Sequence, residues 1–542
     1  MPDRLRATSP PSPGLGAGLG GGLMVCGTSS DAGKSHVVTG LCRLLARRGI
    51  TVAPFKAQNM ALNSYVTTAG HEIGRAQGVQ ALAAGVEPEV AMNPILLKPT
   101  GERASQVIVN GQPIGHLSAA EYHGLKPQLL AIVLDALADL RRRFDVVIVE
   151  GAGSPAEINL LDHDIVNLRI AAEADLAAVV VGDIDRGGVF ASLYGTVMVL
   201  PDHYRKLIRA FLINKFRGDP ALLGGGLDDL ERRCGVPTIG VLPFIADVAL
   251  DAEDSLALDG LRPRPTGAGI SGAAEADALD VAVIRFPRLA NVTDIDALAI
   301  EPGVSVRLVG RPEALGAPDL VVLPGTKTTV ADLAWLRESG LAGVIAKRRR
   351  TGTVILGVCG GYQMLGRTIV DGVESEEGSV AGLGWLDVRT VFRPDKVTRR
   401  RSGSALGQAV VGYQIHHGRT TRGDQAAPWI DLDGGEPDGA VEIPPSAARV
   451  FGTSLHGLFE RDAFRVAFLG AVAERRGKKF TAAGVSFSAA RQVQFDRLAD
   501  LLEDHVDLDA LGRLIAEGDP SCRAEGDPSC RAEGDPSLKR TP

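Results

Sequence analysis

The sequence is poor in cysteine and lacks the patterns in which cysteine builds structural sites. Only six cysteines occur in 542 residues, and no two of them form a Cys-x-x-Cys pair. Neither a disulfide framework nor a zinc site is therefore indicated. No secretory apolar segment is present near residue 1, so we expect the protein in the reducing cytoplasm.

A long apolar run and an excess of positive charge are also missing. No stretch approaches the ~20 uninterrupted apolar residues of a membrane helix, so we predict no membrane span. The formal net charge is -7, whereas a nucleic-acid binder needs a basic surface to displace counterions from phosphates. We expect a small-molecule substrate, no nucleic acid and no membrane partner. The sequence does not indicate an oligomeric state.

Short apolar runs alternate with helical stretches through most of the chain, a pattern typical of a parallel α/β sheet. In the first helical stretch, the apolar residues from Val37 to Leu45 fall on one face, and Gly49 is placed as the C-terminal stop. A second α/β pattern starts near residue 279. The strands are predicted at the runs LMVCG, ITVAPF, DVVIVEG, LAAVVVGD, AFLINK and VPTIGVLPF, then DVAVIRF, VSVRLVG, DLVVLPG, TVILGVCGG and RVFGTSLHG.

These patterns divide the chain into six segments. An eight-residue repeat, AEGDPSCR, begins at Ala516. Its Gly, Pro and Asp content cannot form a buried core, which favours a disordered tail over a partner-binding one. The predicted segments are a disordered lead-in (1–22), a first α/β domain (23–251), a linker (252–278), a second α/β domain (279–475), a helical extension (476–515) and a disordered repeat tail (516–542).

A phosphate-binding loop is indicated between the first predicted strand and helix. The segment Gly27-Thr-Ser-Ser-Asp31-Ala-Gly33-Lys34-Ser35 lies where backbone N–H groups and a helix N-terminus can cradle polyphosphate. Its glycines are one residue further apart than in the common pattern. Lys34 would reach the phosphate oxygens, and the Ser35 hydroxyl would help to hold Mg²⁺.

Two residues at strand ends are candidates for the same site. Glu150 closes an apolar run and is the best placed carboxylate to join Ser35 at Mg²⁺. Lys56 follows the second strand and could neutralise a transferring phosphoryl group. A solvated acid and a surface lysine are the alternatives for these two positions.

A nucleophile is indicated in the second domain at Cys359. The segment Gly357-Val-Cys359-Gly-Gly361 ends an apolar strand and begins a helix, which resembles the sharp turn that presents a nucleophile. A cysteine nucleophile needs a base within hydrogen-bond reach. His456 is our first choice, only slightly ahead of His416 and His417, because periodicity does not rank the three.

Together these motifs resemble a known family. The segments GVCGGYQMLG, Leu323-Pro-Gly325 and SLHGLF look like the glutaminase half of triad-type (class I) amidotransferases, in the branch of cobyric acid and cobyrinic acid a,c-diamide synthases. The first half resembles the dethiobiotin-synthetase-like P-loop ATP domain. The stretches 58–63, 72–77, 92–98, 183–190 and 214–219 are similar to the cobyric acid synthase family in particular.

The resemblance implies roles for individual residues. Cys359 would be the glutaminase nucleophile and His456 its base, with Gly325 and Gly360 as oxyanion donors. Two positions depart from the family pattern. Leu458 stands where many triad amidotransferases have Glu, which leaves the third member open and a Cys-His dyad as one expectation, and Gln414 replaces an expected Glu. Nucleotide binding is assigned to Gly27, Asp31, Gly33, Lys34, Ser35, Lys56 and Asn214.

The implied enzyme uses ATP, Mg²⁺ and L-glutamine to amidate four carboxylates of a corrinoid, adenosylcobyrinic acid a,c-diamide. A carboxylate resists ammonia until phosphorylation supplies a leaving group, which explains a phosphate loop fused to a glutaminase. Three alternative functions remain: a cobyrinic acid a,c-diamide synthase, a P-loop scaffold protein with an inactive glutaminase domain, and a cell-wall lipid amidotransferase. Candidate corrinoid-lining residues are Asn59, Asn63, Arg75, Gln77, Asp183, Asp185 and Arg186.

Overall fold

The first α/β domain is built around one parallel sheet. A computed structural model of the chain describes residues 15–16, 18–101, 104–245, 278–291, 293–375 and 377–519. The strands of the first domain are β1 (Gly21–Gly27), β2 (Val52–Phe55), β3 (Gln58–Met60), β4 (Ser64–Val66), β5 (Glu72–Gly74), β6 (Ile95–Pro99), β7 (Ala104–Val109), β8 (Gln112–Ser118), β9 (Val146–Glu150), β10 (Ala177–Asp183), β11 (Ile208–Phe216) and β12 (Thr238–Pro243). Its helices are α1 (Lys34–Arg47), α2 (Arg75–Ala84), α3 (Ala119–Arg143), α4 (Leu168–Glu173), α5 (Val189–Met198), α6 (Asp202–Arg205) and α7 (Gly224–Cys234).

The main sheet of this domain has the order β12-β11-β10-β1-β9-β2, and every pairing in it is parallel. Because side chains alternate along a strand, β1 faces two cores. Leu23 and Val25 contribute to one core, whereas Met24 and Cys26 contribute to the other. The carboxyl end of β1 leads into the predicted phosphate loop and α1, so the fold places that loop at the sheet edge where α/β proteins bind ligands.

The second domain is a mixed sheet with a long hairpin beside it. Its central sheet has the order β14-β13-β15-β16-β25-β24-β21, and β13 to β16 and β25 pair in parallel. The strands are β13 (Leu279–Ile284), β14 (Val304–Val309), β15 (Leu320–Leu323), β16 (Val354–Val358), β17 (Thr368–Asp371), β18 (Gly378–Ala381), β19 (Val388–Ala405), β20 (Gln408–Arg422), β21 (Ala426–Ala427), β22 (Ile430–Leu432), β23 (Pro437–Asp438), β24 (Ala440–Glu442) and β25 (Val450–Thr453). The helices are α8 (Thr293–Ala299), α9 (Thr329–Glu338), α10 (Leu341–Arg350), α11 (Gly360–Leu365) and α12 (Asp462–Arg476).

The predicted helical extension forms two helices that return to the first domain. These are α13 (Phe487–His505) and α14 (Leu508–Glu517). Helix α13 lies along α1, where Arg43 Nε and Asp496 Oδ1 are 2.8 Å apart. Leu502 and Ile515 are buried in the same core as Leu23. The C-terminal helices therefore cover one face of the first sheet.

The α/β architecture of both domains is confirmed, with a parallel sheet in the first and a mixed sheet in the second, and each run predicted as a strand overlaps one. Two segment boundaries need correction. Leu15 and Leu19 are already buried in the same core as Leu23, and strand β1 begins at Gly21, so the predicted lead-in extends too far. A Cβ on Gly21 would lie 2.1 Å from the carbonyl oxygen of Ile515, so this glycine-rich run allows α14 to approach the strand.

The other corrected boundary is at the C-terminus. Helix α14 includes Ala516 and Glu517, so the predicted tail begins too early. The predicted linker lies outside the described residues except for Ala278, as do positions 520–542 of the repeat tail. None of the helices in the described part of the chain is long and apolar enough to cross a membrane.

Candidate active sites

In the predicted phosphate loop, the side chain of Lys34 contacts backbone carbonyl groups. Lys34 Nζ donates to the carbonyl oxygens of Ser29 at 2.9 Å and Gly153 at 3.1 Å. Gly33 has a φ of 101°, a conformation that favours glycine. A Cβ at this position would also lie 2.0 Å from Asn214 Nδ2. The loop thus places the Lys34 ammonium among backbone carbonyl groups at the N-terminus of α1.

The predicted metal ligands, Ser35 and Glu150, are neighbours in the structure. Ser35 Oγ donates to Glu150 Oε1 at 2.9 Å, and Lys56 Nζ contacts the same oxygen at 2.9 Å. Gln80 Nε2 donates to the other carboxylate oxygen at 2.5 Å. Burial acts to raise the pKa of Glu150, but the charge of Lys56, the hydrogen bonds from Lys56 and Gln80 and the charge of Lys34 together hold the pKa below its ordinary value. Glu150 is therefore a carboxylate at neutral pH.

This pair fits a magnesium ion that takes its other ligands from phosphate and water. A hydroxyl and a carboxylate are the hard oxygen ligands that Mg²⁺ prefers. Within the described ranges no group of three or more His, Cys, Asp or Glu side chains could hold a metal ion. A magnesium ion at Ser35 and Glu150 would therefore depend on the nucleotide for part of its coordination.

Further charged residues surround the same loop, and one of them was not predicted. Lys215 Nζ contacts Asp183 Oδ2 and the carbonyl oxygen of Asp31, both at 2.7 Å. Arg186 lies 3.5 Å from a carboxylate oxygen of Asp31 and of Asp183. Asn214 Nδ2 donates to the carbonyl oxygen of Ala32 at 3.0 Å. Lys215 lies in the stretch 214–219 that resembles the family, but nothing in the sequence distinguishes it from its neighbours there.

The residues predicted to line a corrinoid site fall into two separate groups. Asp183 and Arg186 lie beside the phosphate loop, and Asp185 pairs with exposed Arg217 at 2.9 Å. The other four residues are buried in the first domain, close to its contact with the second. They are Asn59, Asn63, Arg75 and Gln77, with exposures of 2% or less.

The buried group is held by contacts of its own. Asn59 Nδ2 donates to Gln77 Oε1 at 3.0 Å. Arg75 Nη2 lies 3.1 Å from Glu460 Oε1 of the second domain. The Arg75–Glu460 contact places Arg75 at the domain boundary, and corrinoid contact by the four buried residues stays a prediction.

Cys359 lies on a strained turn between β16 and α11. Its φ is 51° and its ψ is -108°, which is rare for a residue with a side chain. The glycines around it permit close packing: a Cβ on Gly361 would lie 1.9 Å from the carbonyl oxygen of Leu323, and one on Gly357 would lie 2.7 Å from the Tyr362 backbone. The turn has the strand-to-helix geometry of the nucleophile elbow that the sequence predicts.

His456 faces Cys359 and is held by a carboxylate that the sequence did not reveal. Its Nδ1 lies 2.7 Å from Asp294 Oδ2. Burial would lower the pKa of His456, but the charges and hydrogen bonds of Asp294 and Cys359 raise it to about 10. An imidazolium is therefore favoured next to the Cys359 sulfur.

Asp294 is a candidate for the third member of the centre, which the sequence left open. The position at which a glutamate was expected, Leu458, is an apolar residue that is 1% exposed. The carboxylate comes instead from the first turn of α8. No sequence spacing links α8 to His456, so only the fold brings them together. Gln414, the second departure, donates to Asp438 Oδ1 at 3.1 Å and to Ser454 Oγ at 2.8 Å.

The structure distinguishes the two competing histidines from His456. His416 lines the Cys359 cavity, but its ring nitrogens have no hydrogen-bond partner among the described residues. Burial lowers its pKa to about 3. His417 Nε2 lies 3.2 Å from Gln106 Nε2 of the first domain. Among the described residues, neither of them forms a hydrogen bond to a carboxylate as His456 does.

The two predicted oxyanion glycines adjoin the Cys-His pair. Gly360 follows Cys359 directly and begins α11. Gly325 leaves no room for a side chain, since a Cβ there would lie 2.7 Å from His456 Cε1. Their placement is compatible with backbone N–H donors at the reacting carbon.

Both domains contribute to the cavity at Cys359. Lys98 of β6 lines it together with residues of the second domain. Near His456, Asn291 Nδ2 lies 3.4 Å from His456 Nε2, and Asn291 Oδ1 accepts the Ser64 N–H of the first domain at 2.9 Å. The glutaminase centre is thus at the contact between the domains.

Comparisons with known proteins agree with this division. The model of the CobQ/CobB/MinD/ParA nucleotide binding domain matches residues 23–257. The model of the CobB/CobQ-like glutamine amidotransferase domain matches residues 280–464.

Full-length relatives are similar over nearly the whole chain. A cobyric acid synthase of Streptomyces avermitilis is 52% identical, over 93% of this chain and 98% of the relative. A cobyric acid synthase of Nocardia farcinica is 52% identical, over 92% of this chain and 98% of the relative. One of Frankia casuarinae is 51% identical, over 93% and 98% respectively.

Proposed function

Because this chain belongs to the cobyric acid synthase family, we propose that it converts adenosylcobyrinic acid a,c-diamide to adenosylcobyric acid. The chain is an ATP-dependent glutamine amidotransferase of cobalamin synthesis. The proposal adds the substrate and the positions, namely amidation of the b, d, e and g carboxylates. The cytoplasm is the proposed location, in keeping with the free cysteines at positions 26, 42, 234 and 359.

One observation carries the proposal: a phosphate loop with a paired serine and carboxylate, and a Cys-His-Asp centre, occur in one chain whose domains are in contact. The Ser35–Glu150 distance of 2.9 Å and the His456–Asp294 distance of 2.7 Å define the two centres. A glutaminase alone needs no phosphate loop, and a phosphotransferase alone needs no thiol. Activation of a carboxylate followed by amidation needs both.

In the glutaminase half-reaction, the Cys359 thiolate attacks the side-chain amide carbon of glutamine. Backbone N–H groups of Gly325 and Gly360 stabilise the oxyanion. His456, held by Asp294, gives its proton to the leaving nitrogen, so ammonia departs and a glutamyl thioester remains. Water, deprotonated by His456, then releases glutamate and restores Cys359.

In the synthetase half-reaction, a corrinoid carboxylate attacks the γ-phosphate of ATP and ADP leaves. Gly27, Gly33 and Lys34 bind the phosphate groups, while Asp31, Lys56, Lys215 and Asn214 lie around them. Ser35 and Glu150 would hold Mg²⁺, which supplies charge neutralisation at the phosphates. Ammonia attacks the resulting acyl phosphate and displaces phosphate, which yields the amide.

The two half-reactions need a protected passage for ammonia. In bulk water at neutral pH ammonia is mostly protonated and does not attack. The glutaminase centre at the domain contact, with Asn291 bonded to Ser64 at 2.9 Å, supports a route through the first domain. When ¹⁵N-glutamine competes with an equal concentration of unlabelled ammonium, we expect the label to dominate the amide. Equal incorporation of both would exclude a route.

The mass of the corrinoid product tests the proposed substrate. The enzyme is incubated with ATP, Mg²⁺, glutamine and either cobyrinic acid or its a,c-diamide, each in adenosylated form. We expect four successive carboxyl-to-amide conversions of the a,c-diamide. Two conversions of cobyrinic acid, ending at the a,c-diamide, would instead assign the chain to the earlier step and contradict the proposal.

A further inference from the structure

A buried cluster of lysines and glutamates forms part of the wall of the cavity that contains Cys359. Lys98, Lys327, Lys396 and Glu374 line the same cavity as Cys359. Glu72 lies behind them and binds two of the lysines. These five side chains are at most 12% exposed, and the mechanism above uses none of them.

The cluster spans the contact between the domains. Lys98 Nζ, on β6 of the first domain, lies 2.8 Å from Glu72 Oε1. Lys396 Nζ, on β19 of the second domain, bonds the other oxygen of Glu72. Lys327 pairs with Glu374 within the second domain. One carboxylate of the first domain thus holds a lysine from each side of the contact.

Counted over these five side chains, three ammonium groups face two carboxylates. A buried charge without a counter-ion is costly, so the cluster favours an additional anion. The titration behaviour agrees: burial together with Lys98 and Lys327 lowers the pKa of Lys396 to about 8, in spite of Glu72. The pKa values of Glu72 and Glu374 are held below their ordinary range by the lysines, against the effect of burial.

The ligand of this cavity carries such an anion. Glutamine has its side-chain amide at one end and an α-carboxylate at the other. With the amide carbon at Cys359, the α-carboxylate must lie elsewhere on the wall of the same cavity. A hydrogen bond between a lysine ammonium and a carboxylate is charge-assisted and roughly twice as strong as one between neutral groups.

We propose that Lys98 and Lys396 bind the α-carboxylate of glutamine, so that the synthetase domain supplies part of the glutamine site. Lys98 of the synthetase domain contributes a cation directly. Glu72, also of the synthetase domain, orients Lys396 of the second domain. The glutaminase centre is complete only when the two domains are in contact. This inference rests on glutamine being the nitrogen donor and is independent of which corrinoid is amidated.

The test compares L-glutamine with 4-aminobutanamide, which keeps the amide and the amine but lacks the carboxylate. Glutamate or 4-aminobutanoate release is measured for the wild type and for Lys98→Met. Removal of Lys98 leaves Glu72 paired with Lys396 and balances the cluster, so we expect the fold to be retained. The kcat/KM for L-glutamine should fall about 100-fold, chiefly through KM, because a charge-assisted contact is lost. The value for 4-aminobutanamide should change less than about threefold.

Matched controls separate recognition from structural damage. Lys347→Met removes an exposed lysine of α10 and should leave both substrates unaffected. Ammonium-dependent amidation by Lys98→Met should match the wild type, which shows an intact synthetase site whatever the outcome for glutamine. Lys396→Met provides a second variant with the same expected loss for L-glutamine.

Two results would overturn the inference. One is that wild-type enzyme uses 4-aminobutanamide as efficiently as L-glutamine. The other is that the variants lose equal factors on both substrates, or lose nothing on either. If the wild-type enzyme does not amidate the corrinoid with ammonium, the proposed synthetase function would be refuted instead.

Discussion

The residue that most changes the account of catalysis is Asp294. Cys359 could be predicted because flanking glycines mark a nucleophile elbow, and His456 because its segment matches the family motif. Asp294 could not, since it is 162 positions from His456 and its segment carries no periodic or motif signal. Lys215 was missed for a similar reason. Its place in the site comes from contacts with Asp31 and Asp183, which are distant from it in the sequence.

Replacement of Asp294 tests its role in orienting His456. In Asp294→Asn the imidazole loses its ionic partner and the preference for the correct ring orientation. We expect kcat for glutamine hydrolysis to fall about 100-fold, with little change in ammonium-dependent amidation. Release of glutamate is the measurement, and Asp424→Asn, at an exposed position, is the matched control. An unchanged kcat would show that Cys359 and His456 act without a third member.

The raised pKa of His456 also predicts how stability depends on pH. Burial lowers this pKa, but Asp294 and Cys359 raise it from 6.5 to about 10 in the folded protein. Proton binding therefore stabilises the folded state, fully below pH 6.5, and this contribution is lost as the pH rises through about 10.

Thermal unfolding of the wild type and Asp294→Asn at several pH values checks this dependence. The wild type should have the higher melting temperature, and the difference between the two proteins should be largest near pH 6.5. The difference should narrow toward pH 10, because His456 then releases its proton in both proteins. A difference that stays constant or widens with pH would contradict the stated pKa.

At the scale of elements, apolar periodicity predicted the central strands well but missed the polar ones. Strands β1, β9, β10 and β16 are buried along their whole length, so they appear as continuous apolar runs. The hairpin of β19 and β20 does not, because β19 is partly exposed and contains a run of arginines. Its turn at Leu406 and Gly407, both with positive φ, has the backbone geometry of a tight hairpin.

Helix α13 gives the clearest prediction at this scale. A Cβ on Gly40 of α1 would lie 2.8 Å from the carbonyl oxygen of Leu498 of α13. Gly40→Ala should therefore force the helices apart and lower the free energy of unfolding by about 1–3 kcal/mol, in spite of the better helix propensity of alanine.

The same substitution elsewhere is its control. Gly195 lies inside α5, and nothing is within 4 Å of a Cβ there. Gly195→Ala should leave stability unchanged or raise it by up to about 1 kcal/mol. Urea unfolding of both variants measures the difference. Equal effects would mean that α13 does not pack closely on α1 in solution.

At the scale of the whole molecule, the chain places the nitrogen donor and the synthetase in direct contact. The domain contact includes Arg75 with Glu460 at 3.1 Å and Ser64 with Asn291 at 2.9 Å. Glu460 also lies 3.3 Å from Arg491 of α13, so the C-terminal helices join the two domains. The sequence predicted two α/β domains but not this contact, because long-range side-chain pairs leave no local pattern.

Amidation by two single variants, each supplied with either nitrogen source, tests most directly whether Cys359 serves only the use of glutamine and Lys34 serves the synthetase reaction. Cys359→Ala and Lys34→Ala are each given ATP, Mg²⁺ and corrinoid, with glutamine or with ammonium, and the products are read by mass spectrometry. Ammonium should restore amidation in Cys359→Ala, whereas Lys34→Ala should form no amide from either source. Amide formation by Lys34→Ala at the wild-type rate, or failure of ammonium to restore the Cys359 variant, would contradict a thiol-dependent donor coupled to a nucleotide-dependent synthetase.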